Sequence, residues 1–161
     1  MNTTIPRPEH PRPDRRRALW RSLNGEWRFA FDERGIGERE RWYVGGQFPL
    51  RINVPFCYQS ALSGVGDARH CDVVWYAREM TVPEEFAGKR ALLHFGAVDY
   101  AAKVWLDGQY LGCHEGGYTP FSFDITDLAT PGCTYTVTVE AEDRLAHDRP
   151  RGKQSFRPEP F

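Results

Sequence analysis

No run of apolar residues in this chain approaches the 18 or more that a membrane-crossing helix needs, and the patch Ala91-Leu92-Leu93 is broken at once by His94. A membrane partner is not expected. An excess of one charge is missing too: 21 Lys and Arg stand against 22 Asp and Glu, a formal net charge of −1. Such a balance gives no global positive field to hold a phosphate backbone, so nucleic acid is not expected as a partner either. Lysine is scarce, with only Lys89, Lys103 and Lys153 against 18 Arg, and there are only 2 Met. The four cysteines, Cys57, Cys71, Cys113 and Cys133, form no C-x-x-C pair. The basic start, Met1 to Arg17, has no apolar stretch behind it to make a secretory signal. Together these favour reduced, buried or half-buried thiols and a cytoplasmic location over a disulfide framework or a zinc site. A phosphate loop is also lacking, because Gly64-Val65-Gly66 has neither a third glycine nor a helix after it.

What is present is a chain of 161 residues, 14% aromatic and 40% hydrophobic. That length fits one domain able to bury roughly 68–70% of its unfolded surface without staples. The first residues, Ile5-Pro6-Arg7-Pro8-Glu9-His10-Pro11-Arg12-Pro13-Asp14, alternate proline with charge. Residues 1 to about 17 are therefore expected to be a flexible Pro/Arg-rich arm and 18–161 the folded domain. Asn24-Gly25 predicts a turn, and Glu26 to Asp32 alternates aromatic with polar residues as a half-buried strand does. Gly35 to Tyr43 has the pattern of a short helix. Val73–Val82, Lys89–Phe95, Ala101–Leu106, Tyr110–His114, Ser122–Ile125 and Thr134–Glu140 read as further strands, with Asp107-Gly108 as a tight hairpin turn. Short strands without a long helix indicate an all-β sandwich, and Trp27, Trp75 and Trp105 are expected in its core.

Residues able to carry chemistry are few. His70, Cys71 and Asp72 are adjacent, but neighbours on an extended backbone point to opposite sides, so at most two of the three share one ion and no metal site is assigned. Cys113 beside His114 fails as a nucleophile and base pair for the same reason. Two stretches are less ordinary. His114-Glu115-Gly116-Gly117-Tyr118-Thr119-Pro120-Phe121 pairs two glycines with aromatics, as a tight corner or a close-approach surface does. Pro55-Phe56-Cys57-Tyr58-Gln59-Ser60 is an irregular aromatic segment suited to docking against a neighbouring domain, with Phe56, Tyr58, Tyr118 and Phe121 as exposed apolar surface.

The segments Leu23-Asn24-Gly25-Glu26-Trp27-Arg28-Phe29, Val54-Pro55-Phe56, Val74-Trp75-Tyr76-Ala77-Arg78, His94-Phe95-Gly96-Ala97-Val98-Asp99-Tyr100, Val104-Trp105-Leu106-Asp107-Gly108, Gly112 to Phe121 and Phe123-Asp124-Ile125-Thr126 resemble, in order and spacing, the N-terminal sugar-binding domain of family 2 glycoside hydrolases. The resemblance runs from residue 19 to about 156. It implies a jelly-roll β-sandwich of the galactose-binding type and a non-catalytic carbohydrate-binding or structural role within a retaining β-glycosidase of the β-galactosidase or β-glucuronidase kind. In that family both catalytic carboxylates lie in a later (β/α)₈ barrel, so no catalytic residue and no cofactor is expected here. The implied partners are a β-linked sugar, bound weakly, and the remaining domains of the same chain, with a homo-oligomer left open for the full enzyme. Substrate-contact candidates are Arg69, His70 and Asp72, in the loop that relatives turn toward the non-reducing sugar, and His114 and Glu115. A free-standing lectin-like sandwich is the alternative expectation.

Overall fold

The computed structural model describes residues 5–144. Eight strands follow in order: β1 (Gly25–Phe31), β2 (Leu50–Val54), β3 (Val73–Thr81), β4 (Leu92–Phe95), β5 (Ala101–Leu106), β6 (Gln109–Glu115), β7 (Phe121–Asp124) and β8 (Thr134–Glu142). Six form one sheet in the order β2-β1-β3-β8-β5-β6, and β4 pairs with β7 in a second. Every pairing is antiparallel. The result is the β-sandwich implied by the alternating pattern and by the resemblance.

Strand alternation fixes which residues face the sandwich interior. Trp27, Phe29, Val74, Val104, Val137, Val139 and Ala141 line the inner face of the large sheet and share one core with Leu93 of β4. Phe95 and Phe121 stack across the small sheet at 4.8 Å. Phe123 closes on Gly112, where a Cβ would fall 2.7 Å from its ring and the φ is +148°. Glycine is thus required there twice over, beside the register shift at Val104/Trp105. The hairpin at Asp107-Gly108 forms as expected, both residues adopting positive φ, 46° and 80°, the backbone of a primed turn.

The outer face of the same sheet is not left to solvent. Ala30, Val73, Trp75 and Trp105 form a second cluster, covered by Trp42, Tyr43 and Phe48. Trp75 stacks on Trp105 at 5.3 Å and Tyr43 on Trp105 at 4.9 Å. All three strand tryptophans are buried, Trp27 at 6%, Trp75 at 0% and Trp105 at 3% exposure. They are not on one face, however, since Trp27 belongs to the inner core. The central strands β3 and β8 are consequently buried on both sides, which the half-buried reading of period-two strands did not foresee.

Several local expectations are corrected. Gly35 to Tyr43 is not a helix. Asp32 Oδ1 accepts the Ile36 N–H at 2.9 Å and Oδ2 accepts the Gly37 N–H at 2.7 Å, so the carboxylate gathers the turn. The following bonds run Glu40 N–H to Ile36, Arg41 N–H to Glu38 and Trp42 N–H to Gly37, with no constant helical step. Arg41 then turns left-handed and a single 3₁₀ turn, Trp42–Val44, follows. The strand expected from Lys89 begins at Leu92, because Lys89 still closes a turn on Phe86. β2 was not foreseen; only its Ile52 is fully buried, so the segment carries no clean alternation. Of the apolar residues expected to be exposed only Tyr118 is: Phe56 and Phe121 are half-buried, Phe121 against the core, and Tyr58 is buried, packing against Phe29 and Phe31 while its hydroxyl accepts the Cys71 N–H at 3.2 Å. The four thiols are free, but only Cys71 is buried; Cys57, Cys113 and Cys133 are exposed rather than half-buried.

Residues 5–17 are largely exposed. Asn24 ties their path to the start of β1, its amide donating to the carbonyls of Pro6 at 3.3 Å and Arg7 at 3.1 Å. Arg78 anchors the same corner from β3, donating to the carbonyls of Leu23, Asn24 and Glu26.

Candidate functional site

The register places the candidate residues on one end of the large sheet. Val73 of β3 faces Glu142 of β8, Glu142 faces Ala101 of β5, and Ala101 faces Glu115 of β6. Asp72 therefore precedes one end of this row and Glu115 closes the other. Three strand spacings separate β3 from β6, about 14 Å. The sheet thus brings the 69–72 loop and the 114–115 strand end to a common edge without bringing them into contact.

Each half has its own local order. Arg69 donates to Asp67 at 2.7 Å and to Glu33 at 2.6 Å, with its guanidinium 4.2 Å over the Phe31 ring. His70 Nε2 pairs with Asp72 Oδ1 at 2.7 Å, and the Asp72 carbonyl accepts the Asp143 N–H at 2.8 Å. These side chains extend into solvent, while Cys71 between them turns inward, as the opposed directions of neighbouring residues require. On the far side, His114 bonds Thr119 Oγ1 at 2.9 Å and stacks on Phe121 at 4.4 Å. Glu115 is exposed. Tyr118, 78% exposed, caps the adjoining turn. A side chain at Gly117 would collide with the Asp99 carboxylate, so the second of the paired glycines marks a close approach between two loops.

Sequence reasoning missed Glu33 and Asp67, which hold Arg69, and Glu142, which accepts from Arg144 Nε at 2.6 Å on the same edge. Asp67 stands two residues before Arg69, within the charge density around residue 70, whereas Glu33 and Glu142 reach the candidates only through the fold.

The chemistry these side chains offer is hydrogen bonding. Burial pushes the Cys71 thiol up, away from the thiolate a nucleophile needs. Burial likewise pushes up the Tyr58 hydroxyl. No three His, Cys, Asp or Glu side chains converge as a metal-binding group among the described residues. What the edge offers is donors at Arg69 and His70, acceptors at Asp72 and Glu115, and the exposed ring of Tyr118. Such a set suits hydroxyl-rich ligands or a polar neighbouring surface.

Comparison with known proteins gives a matching result over nearly the whole described fold. The sequence model of glycosyl hydrolases family 2, sugar binding domain, matches residues 20–143. A beta-glucuronidase from Paenibacillus borealis is 33% identical over 126 residues, covering 78% of this chain and 21% of that protein. A beta-galactosidase from Thermoanaerobacter pseudethanolicus is 39% identical over 129 residues, covering 80% and 16% respectively. Among solved structures, the Ruminococcus gnavus b-glucuronidase in complex with D-glucuronic acid superposes with a TM-score of 0.68 at 30% identity, covering 76% of this chain and 22% of that one. The chain spans about a fifth of the length of these relatives.

Proposed function

This chain belongs to the family 2 glycosyl hydrolases through their sugar-binding domain, and from that premise we propose that it serves a retaining β-glycosidase as a non-catalytic carbohydrate-binding and structural domain. The observation that carries the reading is the extent of the family match, residues 20–143, against the small share of each relative that the match occupies. The sugar-contacting part is the sheet edge carrying Arg69, His70, Asp72, His114 and Glu115. Its open shape supplies few simultaneous contacts, and association carries an entropic cost, so a free monosaccharide binds at millimolar strength or weaker, about −4 kcal/mol. The remaining domains of the same protein are the stronger partner, covering the exposed Tyr118 at this edge and, at the opposite end of the sheet, the half-buried Phe56. Titration of the 161-residue chain with methyl β-galactoside, followed by amide chemical shifts, tests this. Shifts confined to residues 69–72 and 114–118, saturating only in the millimolar range, support it. Micromolar binding by a monomer overturns it in favour of a free-standing lectin.

A further inference from the structure

Two arginines among the described residues are half-buried, Arg28 and Arg78. Arg78 is satisfied by three backbone carbonyls. Arg28 has no ion pair and no hydrogen bond among the described residues; its guanidinium lies 5.3 Å over the ring of Phe48 and meets nothing else polar. The register explains where it sits. Arg28 faces Ala77, Ala77 faces Thr138, and Thr138 faces Trp105, a single row across the outer face of the sheet. Ala77, 1% exposed, is covered within that row, and a pocket opens beside it between Arg28, Thr138 and the 42–48 segment. The resulting pocket has a volume of about 220 Å³ and is lined by Arg28, Tyr43, Phe48, Asp107, Thr136 and Thr138, among others.

A second group in the same pocket is also unsatisfied. Thr138 is 1% exposed, yet its hydroxyl makes no hydrogen bond among the described residues. Buried polar groups are nearly always bonded, and an exception that lines a pocket is a group that a water or a ligand atom would satisfy. An orphan guanidinium calls for an oxyanion, and its planar fork matches a carboxylate in two parallel bonds. Asp107 supplies the opposite demand. Asp107 is exposed at the rim; one of its oxygens accepts the Thr136 N–H and the other faces no protein donor among the described residues, so it is open to a ligand hydroxyl. Asp107 would repel a bare carboxylate but accepts a polyhydroxylated one. The pocket is too small for an oligosaccharide and falls below the usual range of roughly 300–1,000 Å³ for drug-sized ligands, which leaves room for one sugar residue.

We propose that this pocket, on the outer face of the sheet and away from the strand-end edge, binds a single acidic sugar residue, with Arg28 taking its carboxylate and Thr138 and Asp107 taking its hydroxyls. It is a second saccharide site, and it stands whether or not the chain serves a glycosidase.

The test is titration of the 161-residue chain with D-glucuronate, D-glucose and acetate, read at the indole N–H signal of Trp42 beside the pocket. Glucuronate is expected to produce a saturable shift in the millimolar range, with glucose and acetate at least about tenfold weaker, since each satisfies only half of the site. Arg28→Met is expected to abolish the shift. Thr138→Val removes an unbonded hydroxyl at constant volume, so it is expected to weaken binding several-fold while leaving the thermal transition unchanged or higher. Any of three results overturns the proposal: no saturable glucuronate shift at Trp42, equal binding of glucose or acetate, or undiminished binding by a folded Thr138→Val variant. Shifts confined to residues 69–72 count as the first of these and leave the strand-end reading standing.

Discussion

The two faces of the six-stranded sheet bury comparable tryptophans by different means. The inner face packs against a second sheet and is mostly apolar, from Trp27 and Phe29 to Val137 and Leu93, with the Trp27 indole N–H donating to a backbone carbonyl, that of Leu23. The outer face is sealed by an irregular loop, and its tryptophans are locked in place by polar groups: Trp75 Nε1 donates to Asp32 Oδ2 at 3.2 Å, and the same carboxylate holds the turn that carries Trp42 and Tyr43. Beside them, Lys103 reaches Glu140 at 3.3 Å and also pairs with Glu38 of the covering loop. A face covered by a loop must satisfy that loop's backbone, and here Asp32 accepts two of its N–H groups while Lys103 ties the loop's Glu38 side chain to the sheet. The covered outer face therefore carries the specific chemistry, while the inner face carries the bulk of the burial.

If the outer face is a true second core, Trp75→Ala should cost as much as Phe29→Ala on the inner face, about 3–5 kcal/mol each. Urea denaturation of both variants gives the comparison, and a Trp75 cost below about 1 kcal/mol would reduce the 36–48 loop to a loose cover. Gly37→Ala probes the lock more finely. A Cβ there would lie 2.5 Å from Trp75 Nε1 and 2.9 Å from Asp32 Oδ2, an overpacking expected to cost roughly 1–3 kcal/mol. Its thermal transition should fall accordingly, with near-ultraviolet dichroism reporting the displaced tryptophan.

Glu140 provides the pH arm of the same comparison. Burial pushes its carboxyl above the ordinary value of 4.5, while Lys103 pulls it back. A group whose folded value is raised stabilises the fold while protonated, and that contribution fades as pH rises through the folded value. The stability of the native chain relative to Glu140→Gln should therefore be greatest below about pH 4.5 and decline toward neutrality. A flat difference across that window would show that Lys103 and solvent fully offset the burial. The smallest effect is expected where neither face is touched. Deleting Met1 to Arg17 removes two amide contacts of Asn24, one part-buried and one exposed, and should shift unfolding by less than about 1 kcal/mol.

The contrast between faces also explains what the sequence made legible. Seven of the strands were legible, β1 from the alternation of aromatic and polar residues and β5 and β6 from the Asp107-Gly108 turn between them, which set one hairpin by backbone conformation alone. Neither signal reports what covers the other side of a strand. Gly35 to Tyr43 carries charge and aromatics at near-helical spacing, but the side chain of Asp32 competes for its first N–H groups and folds it as a cover instead. For the candidate site, the Gly116-Gly117 turn was visible as a local irregularity, and the loop at 69–72 only through the family resemblance. Their common edge was not, because it depends on β8 and β5 lying between β3 and β6, a pairing order that no local pattern encodes. Arg28 and Thr138, 110 residues apart in sequence, became a pair only through Ala77 between them.

The central claim is that this fold binds and supports without breaking bonds, and turnover measures it most directly. Incubated with aryl β-galactosides and aryl β-glucuronides, the 161-residue chain is predicted to release no more aryl alcohol than buffer does. Hydrolysis that survives repurification and disappears on substituting Asp72 or Glu115 would contradict the account.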